Sequence, residues 1–344
     1  MHENSGTELS PLRERVSAPP THRPAHPLVA EWRPATMDDV DAVLDVVRAI
    51  DAVEHPNYLA TREEVEEELG YSFVDRERDT LIGFAADGRP VAAGIVLEPP
   101  RQETLVREFL NGGVHPDFWG QGIGRELLAW QIARGQQKLA ASEKRLPGWI
   151  VGYADARAPQ RERLLRHAGL EPVRYFLSLE RSLAEPVPEV VPTEDARIVP
   201  YTTELSAAVH AARDEAFLDH WGSQPLSDEQ WETFLSGTFR ADVSFVALAG
   251  DEVAGFVLCQ VNEEDWVSQG FTGAYISMLG TTRAHRGKRI APALLAASMT
   301  ACAALGWERS TLDVDAENPS GALGLYTGMG FTETNRETGL ILAY

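Results

Sequence analysis

The feature that most constrains the fold is an internal repeat, because the 344-residue chain runs twice through the same order of elements. Each copy begins with a short predicted strand, at residues 30–33 and 197–200, followed by a helical pattern that starts near Thr36 or Thr203. Thr is a good helix N-cap, and acidic residues in the first turn suit the helix dipole. A repeat of about one domain length predicts two similar domains in tandem.

Each copy continues with two apolar runs joined by a tight turn, which predicts a β-hairpin. The predicted hairpin strands are 80–86 and 90–97 in the first copy, and 244–249 and 252–261 in the second. A further strand, a loop rich in Gly or Arg and a long amphipathic helix come next. A late strand, a short helix and a terminal strand pair then close each copy. This order predicts an α/β (α+β) fold with two tandem domains, each a mixed central sheet flanked by helices.

Pro-rich segments mark the predicted domain boundaries. Residues 1–28 are rich in Pro, Ser, Thr and charge, which predicts a disordered tail. A second Pro-rich and acidic segment, 184–193, is typical of a semi-rigid linker. The predicted domains are therefore 29–183 and 194–344.

A formal net charge of −21 argues against nucleic-acid binding, which needs a basic surface to neutralise phosphates. The charge suits a cationic partner such as an amine, although acidic surfaces more often serve solubility. No apolar run has membrane-spanning length, and no export signal is recognisable. Cys259 and Cys302 lie in apolar segments, which argues against a disulfide framework. We therefore expect a cytoplasmic protein without a membrane contact.

The motif of each copy that carries chemistry is the loop before the long helix. A strand that enters a helix through small residues directs several backbone N–H groups and the positive helix end to one place, which predicts a pyrophosphate cradle. In the first copy the cradle residues are Val114, Gln121, Gly122, Gly124 and Arg125. In an ungapped alignment of the copies, those of the second copy are Arg286, Gly287, Lys288, Arg289, Ile290 and Ala291.

Two other interpretations of these loops stay open. A Rossmann dinucleotide turn shares the Gly-x-Gly pattern, but it normally lies in the first strand–helix unit of its domain, whereas both loops here lie in mid-domain. A plain tight strand–helix connection needs no ligand, but the recurrence of the loop at one topological position disfavours it.

A second motif lies near the end of the chain, where a predicted strand at 310–315 is followed by Asn318 and Pro319. Asn is a good N-cap and Pro suits the first helical position, so a short helix is predicted, ending near Gly330. Tyr326 lies two turns into this helix. It is either a packed core tyrosine or a functional phenol.

In combination, these motifs resemble those of the GCN5-related N-acetyltransferase (GNAT) family, in two copies that cover nearly the whole chain after the tail. The family's cofactor motif is Arg/Gln-x-x-Gly-x-Gly/Ala, and its later motif is a strand ending in Asn, then a helix with a Tyr shortly before Gly-Phe. The resemblance implies direct attack of a deprotonated amine on the thioester of acetyl-CoA. It also implies that backbone groups of Leu279 and Thr281 hold the pantetheine arm and that Tyr326 protonates the departing thiolate.

The two copies depart from the family pattern in opposite ways. The first copy has Trp119 where Arg or Gln is usual, and Leu165 falls where Tyr326 falls in the second copy. The second copy has Arg289 where the family motif has Gly. The resemblance therefore implies a non-catalytic first domain and a catalytic second domain, a layout that resembles tandem members of the family.

A general base is not evident in the strand before the second cradle. The candidates are Asp219 and His220, or Asp313 and Asp315 on the late strand. Histidine titrates near neutral pH, but a packing role at a helix end suits His220 equally well. The acidic run 263–265 either lines a site for a cationic substrate or forms an exposed turn. No set of His, Asp, Glu or Cys has metal-ligand spacing, so no metal is expected.

The function predicted from the sequence is transfer of an acetyl group from acetyl-CoA to a primary amine of a small molecule, with coenzyme A as a product. The predicted catalytic residues are Tyr326, Asn318, His220 and Asp219. Two alternatives stay open: a non-catalytic CoA-binding sensor or scaffold, and a protein N-acetyltransferase. The fused domains are compatible with a monomer that is a pseudo-dimer of domains, or with a homodimer.

Overall fold

The computed structural model describes residues 9–55, 59–193, 196–218, 220–317 and 321–344. Contacts within the chain divide it into two compact units. The first unit comprises Met1–His55, Ala60–Val173 and Thr338–Tyr344, and the second unit comprises Pro56–Leu59 and Arg174–Glu337.

The first unit is a mixed sheet with helices packed on it. Across the sheet the strand order is β1 (Glu31–Arg33), β2 (Thr80–Phe84), β3 (Pro90–Leu97), β4 (Val106–Val114) and β5 (Gly148–Asp155). The helices are α1 (Leu12–Arg15), α2 (Val40–Glu54), α3 (Arg62–Gly70), α4 (Arg76–Asp79), α5 (Ile123–Ala141) and α6 (Pro159–His167). β1 to β4 pair antiparallel, whereas β4 and β5 pair parallel.

The second unit repeats this plan, as the sequence repeat predicts. The remaining strands are β6 (Glu171–Ser182), β7 (Ala196–Pro200), β8 (Phe245–Ala249), β9 (Glu252–Gln260), β10 (Gly273–Thr281), β11 (Arg309–Asp315) and β12 (Thr332–Ala343). The helices are α7 (Ser206–Ala216), α8 (Asp228–Phe234), α9 (Asp265–Gln269), α10 (Ile290–Ala304) and α11 (Ala322–Gly328). The sheet order is β7-β8-β9-β10-β11-β6, and only β10 and β11 pair parallel among these neighbours in the described part of the unit.

The boundary between the units falls inside a strand, earlier than the predicted domain end at residue 183. The first unit ends at Val173, and the following residues of β6 pair antiparallel with β11, for example Ser178 with Asp313. The end of the chain belongs to the first unit, where Tyr344 and Gly148 of β5 exchange backbone hydrogen bonds of 2.8 and 3.1 Å. The prediction placed the domain boundary at the Pro-rich segment and so assigned these strand segments to the wrong unit, because strand pairing depends on contacts distant in sequence.

The N-terminal segment is packed from the first described residues onward, which corrects the prediction of a tail that is disordered throughout 1–28. Leu12 is fully buried in the core of the first unit, and its backbone N–H donates to the Lys144 carbonyl at 3.0 Å. Val16 is buried in the same cluster. Composition missed these two apolar anchors because proline, polar and charged residues surround them.

Buried side chains on the long helices fix the position of the two loops that carry the predicted cradles. In the first unit Ile123 and Leu127 of α5 lie in one hydrophobic cluster, and Val46 of α2 lies in another. In the second unit Leu294 of α10 and Val209 of α7 lie in two such clusters. Because burial of one such side chain is worth about 1.5–3 kcal/mol, the N-terminus of each long helix is held firmly on its sheet.

The predicted helix start is confirmed in the first unit and corrected in the second. Thr36 occupies the N-cap of a 3-10 turn (Met37–Asp39) before α2 and forms a capping box with Asp39. In the second unit the N-cap position is Thr202, and the predicted Thr203 is already the first residue of a 3-10 turn.

Candidate active site

Each unit contains an opening between its two parallel strands. In the first unit β4 pairs with β5 only as far as Phe109, although β4 continues to Val114. In the second unit β10 pairs with β11 only as far as Tyr275, although β10 continues to Thr281. In the described part of the chain, backbone groups beyond these points have no ladder partner on that side, which leaves a splayed opening between the two parallel strands of each unit.

In the second unit Leu279 and Thr281 direct their backbone groups into the opening. Thr282 donates its N–H to the Ala254 carbonyl on β9 at 3.0 Å, so Gly280, two residues earlier, also faces β9. Backbone groups alternate between the two sides of an antiparallel strand, so Leu279 and Thr281 face β11. The Oγ1 atom of Thr281 is buried without a hydrogen-bond partner in the described part of the chain.

The loop between β10 and α10 brings a helix N-terminus to the same end of this opening. A 3-10 turn (Arg283–His285) leads to Gly287, with φ of 76°, and to Arg289, which has φ of 60° at the N-cap of α10. Ile290 is buried and anchors the first turn, and Ala291 follows it partly exposed. The first N–H groups of a helix have no intrahelical partner, so this terminus suits an anionic ligand.

Basic side chains surround the same helix terminus. Arg286 also holds the loop, because its Nη2 donates to the Ala216 carbonyl at 3.0 Å and its Nε to the Thr281 carbonyl at 3.4 Å. Lys288 is half-buried and Arg289 is exposed. In a chain of net charge −21, local positive charge at a helix N-terminus favours a phosphate-bearing ligand.

Replacing Arg289 by Gly is expected to raise the free energy of unfolding by about 1 kcal/mol, because a left-handed conformation costs an L-residue roughly 1–2 kcal/mol and glycine little. Gly122, at the aligned position of the first unit, has φ of 97°. Urea unfolding measures the change. Lys288→Gly is the matched control. Lys288 is not among the described non-glycine residues with positive φ, so glycine relieves no strain there and should lower the free energy of unfolding. A less stable Arg289→Gly variant would contradict the strain argument.

Tyr326, the predicted thiolate acid, lies in α11 within the hydrophobic cluster of α10. Its side chain is 8% exposed and packs edge-on against Phe331, with ring centroids 5.9 Å apart. Burial raises the pKa of Tyr326 to about 12, so the phenol is neutral at pH 7. No hydrogen bond of its hydroxyl is found among the described residues, and this oxygen is not one of the fully buried atoms that lack a partner, so it keeps some access to solvent. Such a hydroxyl is a candidate donor to a ligand.

The predicted bases Asp219 and His220 follow the end of α7. Asp219 lies outside the described residues, as does the predicted catalytic Asn318. The His220 ring packs against Phe217, with ring centroids 4.4 Å apart, and the His220 N–H donates to the Phe217 carbonyl at 3.0 Å. The packing role at a helix end is therefore present, and the role of His220 as a base stays a prediction.

The other acidic candidates are engaged within the protein. Asp313 accepts a hydrogen bond from the Tyr275 hydroxyl at 2.9 Å, and Asp315 accepts one from the Glu317 N–H at 2.9 Å. In the acidic run 263–265, Asp265 is 5% exposed, so the run is not simply an exposed turn. These contacts favour structural roles for the three aspartates.

The first unit has a cleft of about 300 Å³ at its opening. The residues of the predicted cradle that line this first-unit cleft are Val114, Gly122, Gly124 and Arg125. The carbonyl of Gln121 is hydrogen-bonded to the His26 ring at 2.9 Å. In the first unit, Leu165 occupies the position that aligns with Tyr326. Leu165 is 3% exposed, and its side chain has no proton to donate.

Sequence reasoning missed two charged residues of the first-unit cleft, Glu54 and Arg161. Glu54 is 6% exposed at the end of α2, and burial raises the pKa of its carboxyl group above its usual value. Arg161 lies on α6 and interacts electrostatically with Glu54. No sequence pattern indicates this pairing, because α2 and α6 are far apart in the chain and meet only through the fold.

The two predicted cradle loops, 114–125 and 286–291, fall within regions that a protein-family model matches. The Acetyltransferase (GNAT) family model matches residues 44–158 and 206–331, together more than half of the chain. The chain belongs to the GNAT family. The two matched regions confirm the tandem layout predicted from the repeat, and proteins of this family use acetyl-CoA.

Individual relatives agree with this assignment. Mycothiol acetyltransferase from Catenulispora acidiphila is 25% identical over 271 residues, which cover 78% of this chain and 75% of that protein. N-alpha-acetyltransferase MAK3 from Arabidopsis thaliana is 33% identical over 134 residues, or 39% of this chain and 67% of that protein. The chain is an acetyltransferase enzyme.

A solved structure shows the same fold over nearly the whole chain. The GCN5-related N-acetyltransferase from Sphaerobacter thermophilus aligns with 91% of this chain and 95% of its own, at a TM-score of 0.67 and 24% identity. Within the described ranges, no helix is long and apolar enough to cross a membrane.

Proposed function

We propose that the second unit transfers the acetyl group of acetyl-CoA to a primary amine of a small molecule, by direct attack of the amine on the thioester. The observation that carries the proposal is the neutral phenol of Tyr326, a largely buried side chain for whose hydroxyl no hydrogen bond is found among the described residues. The first unit has Leu165 at the same place, so the donor is specific to the second unit.

The residues of the second opening fit acetyl-CoA. The backbone groups of Leu279 and Thr281 that face β11 are suited to the amides of the pantetheine arm. The N-terminus of α10, with its loop of Arg286, Gly287, Lys288, Arg289, Ile290 and Ala291, suits the diphosphate. Thr281 Oγ1, buried without a partner in the described part of the chain, is a further hydrogen-bonding group for the cofactor.

Bound acetyl-CoA supplies a thioester, and the chain's own residues manage two protons. The amine must be neutral to attack. A bond forms between the amine nitrogen and the acetyl carbonyl carbon, and the bond between that carbon and the sulfur breaks. The proton of the amine passes to a base, for which His220 and Asp219 are our candidates. Tyr326 donates its hydroxyl proton to the departing sulfur. The helix that holds Tyr326 begins at Ala322, with Gly321 at its N-cap, so the predicted start at Asn318 is corrected and a role for Asn318 stays a prediction. Nothing in this scheme requires a metal.

A small-molecule amine is favoured because a relative that aligns with 78% of this chain is named mycothiol acetyltransferase. A second candidate substrate is the N-terminus of a peptide. The observation that favours it is the likeness to an N-alpha-acetyltransferase, at 33% identity over 134 residues.

The proposal is tested by thiol release from acetyl-CoA with a panel of amines: amino acids, polyamines, aminoglycosides, a cysteinyl sugar and short peptides with a free N-terminus. We expect release that depends on one class of small-molecule amine. Release with the peptides alone would replace the small-molecule proposal by protein acetylation. CoA binding without release for any amine would favour the sensor or scaffold.

A further inference from the structure

One side chain bridges the two strands at the opening of the first unit. Arg161 of α6 donates from Nη1 to the Gly112 carbonyl on β4 at 2.9 Å, and from Nε to the Tyr153 carbonyl on β5 at 2.6 Å. Its Nη1 atom also lies against Gly113: a Cβ atom added to that glycine would be only 3.3 Å from Nη1. The guanidinium group therefore fills the gap between β4 and β5.

The carbonyls that face this gap are already engaged by the protein. His115 donates its N–H to the Val91 carbonyl on β3 at 2.8 Å, so by strand alternation Gly112 and Val114 face the opening. The Gly112 carbonyl accepts from Arg161, and the Val114 carbonyl accepts from the indole Nε1 of Trp119 at 2.6 Å. The Val114 contact has a counterpart in the second unit, where Arg286 donates to the Thr281 carbonyl, so the difference lies at Gly112. A pantetheine arm would have to displace Arg161 to use the Gly112 carbonyl.

Burial and charge hold the bridge in place. Arg161 is partly buried, and the carboxylate of Glu54, 6% exposed in the same cleft, attracts it. Charge-assisted hydrogen bonds are stronger than neutral ones, so two of them on one planar group fix its position. The first-unit cleft of about 300 Å³ is what remains beside the bridge.

The second unit has no such bridge at the aligned position. Counted back from Gly169 and Gly330, which follow the two short helices, the residue that corresponds to Arg161 is Ala322, at the start of α11. A methyl group cannot reach from one strand to the other. The two openings thus share their strand pairing but differ at this position, where the first unit has an arginine and the second an alanine.

We propose that Arg161 excludes coenzyme A from the first unit and so restricts the chain to one bound CoA, held by the second unit. This inference rests on the proposed function, because it assumes that the second unit binds CoA. The glycines of the first loop, Gly122 and Gly124, then form a cradle without a cofactor, and the first unit acts as a scaffold.

The test is titration of the full chain with CoA by calorimetry, which gives the number of sites. We expect one site in the wild type and two in Arg161→Ala. Arg163→Ala, which removes an exposed arginine of the same helix, is the matched control and should keep one site. Two sites in the wild type, or one site in a folded Arg161→Ala variant, would overturn the proposal. No site in the wild type would instead refute the proposed function.

Hydrogen exchange with and without CoA locates the bound molecule independently of activity. In the wild type we expect CoA to protect amides of residues 279–291 and to leave those of 112–125 unchanged, whereas Arg161→Ala should gain protection in both. Protection of 112–125 in the wild type would overturn the proposal. The wild-type arm decides the question even if Arg161→Ala does not fold.

Discussion

Tyr326→Phe is expected to lower kcat by about 10- to 100-fold while the Kd for acetyl-CoA stays within about twofold of wild type. The change removes one hydroxyl and keeps the ring that packs against Phe331. Because the proton is needed only as the thiolate departs, its loss raises the barrier, by about 1.4 kcal/mol for each tenfold. Steady-state kinetics with saturating amine, together with calorimetric binding of CoA, separate the two quantities.

Tyr201→Phe is the matched control for this prediction. Tyr201 is another buried tyrosine of the second unit, 5% exposed, but it lies in the cluster of α7 rather than that of α10. We expect the kcat of the Tyr201→Phe variant to stay near that of the wild type. If Tyr326→Phe also keeps the wild-type kcat, Tyr326 is a packed core residue and another donor must be sought.

The raised pKa of Tyr326 adds a pH signature. Burial favours the neutral phenol and moves its pKa to about 12, so the acid form persists well above the usual titration of tyrosine near pH 10. Loss of this acid would therefore lower kcat only as the pH approaches 12. A fall in wild-type kcat centred near pH 10 would show that the catalytic acid has an ordinary tyrosine pKa.

Local patterns in the sequence predicted the elements that depend on near neighbours. The strand predicted at 90–97 is β3, and the late strand predicted at 310–315 differs from β11 by one residue. Alternating apolar runs and glycine turns specify such elements within a few residues. The left-handed conformations of Gly122 and Arg289, which align in the repeated loop, were not predicted from the sequence.

Features that depend on distant contacts were not predictable. The anchor Leu12 is recognisable as core only once α5 is in place beside it, and Arg161 becomes a bridge only when β4 and β5 diverge in front of α6. The pairing of residues 176–182 with β11 likewise needs the folded sheet. The roles of Asp219 and Asn318 stay predictions, since both lie outside the described residues.

The two copies have diverged at complementary positions. The first keeps glycine at the N-cap of its long helix but has Leu165 in place of a donor and Arg161 across its opening. The second keeps Tyr326 and an open gap but has a strained Arg289 at the N-cap. Our proposal that the second unit is the catalytic one therefore rests on Tyr326 and not on ideal loop geometry.

Ala291→Glu is expected to weaken CoA binding about a hundredfold, or about 2.8 kcal/mol. Gly124 is the aligned residue of the first unit; it lines the opening, and a Cβ there would lie 3.2 Å from Leu164. By analogy, a longer side chain at Ala291 enters the second opening and brings a negative charge to the proposed diphosphate site. The helix dipole stabilises a carboxylate in the first helical turn, so the variant should fold as stably as the wild type.

The matched control is Ala297→Glu, six residues further along α10 and also partly exposed. It adds the same charge to the same helix away from its N-terminus, so we expect the wild-type Kd for CoA. Calorimetry in low salt and in 0.5 M salt, with thermal unfolding beside it, distinguishes repulsion from steric exclusion, because salt screens only the charge. Equal affinity of Ala291→Glu and Ala297→Glu for CoA would show that the α10 terminus does not hold the diphosphate.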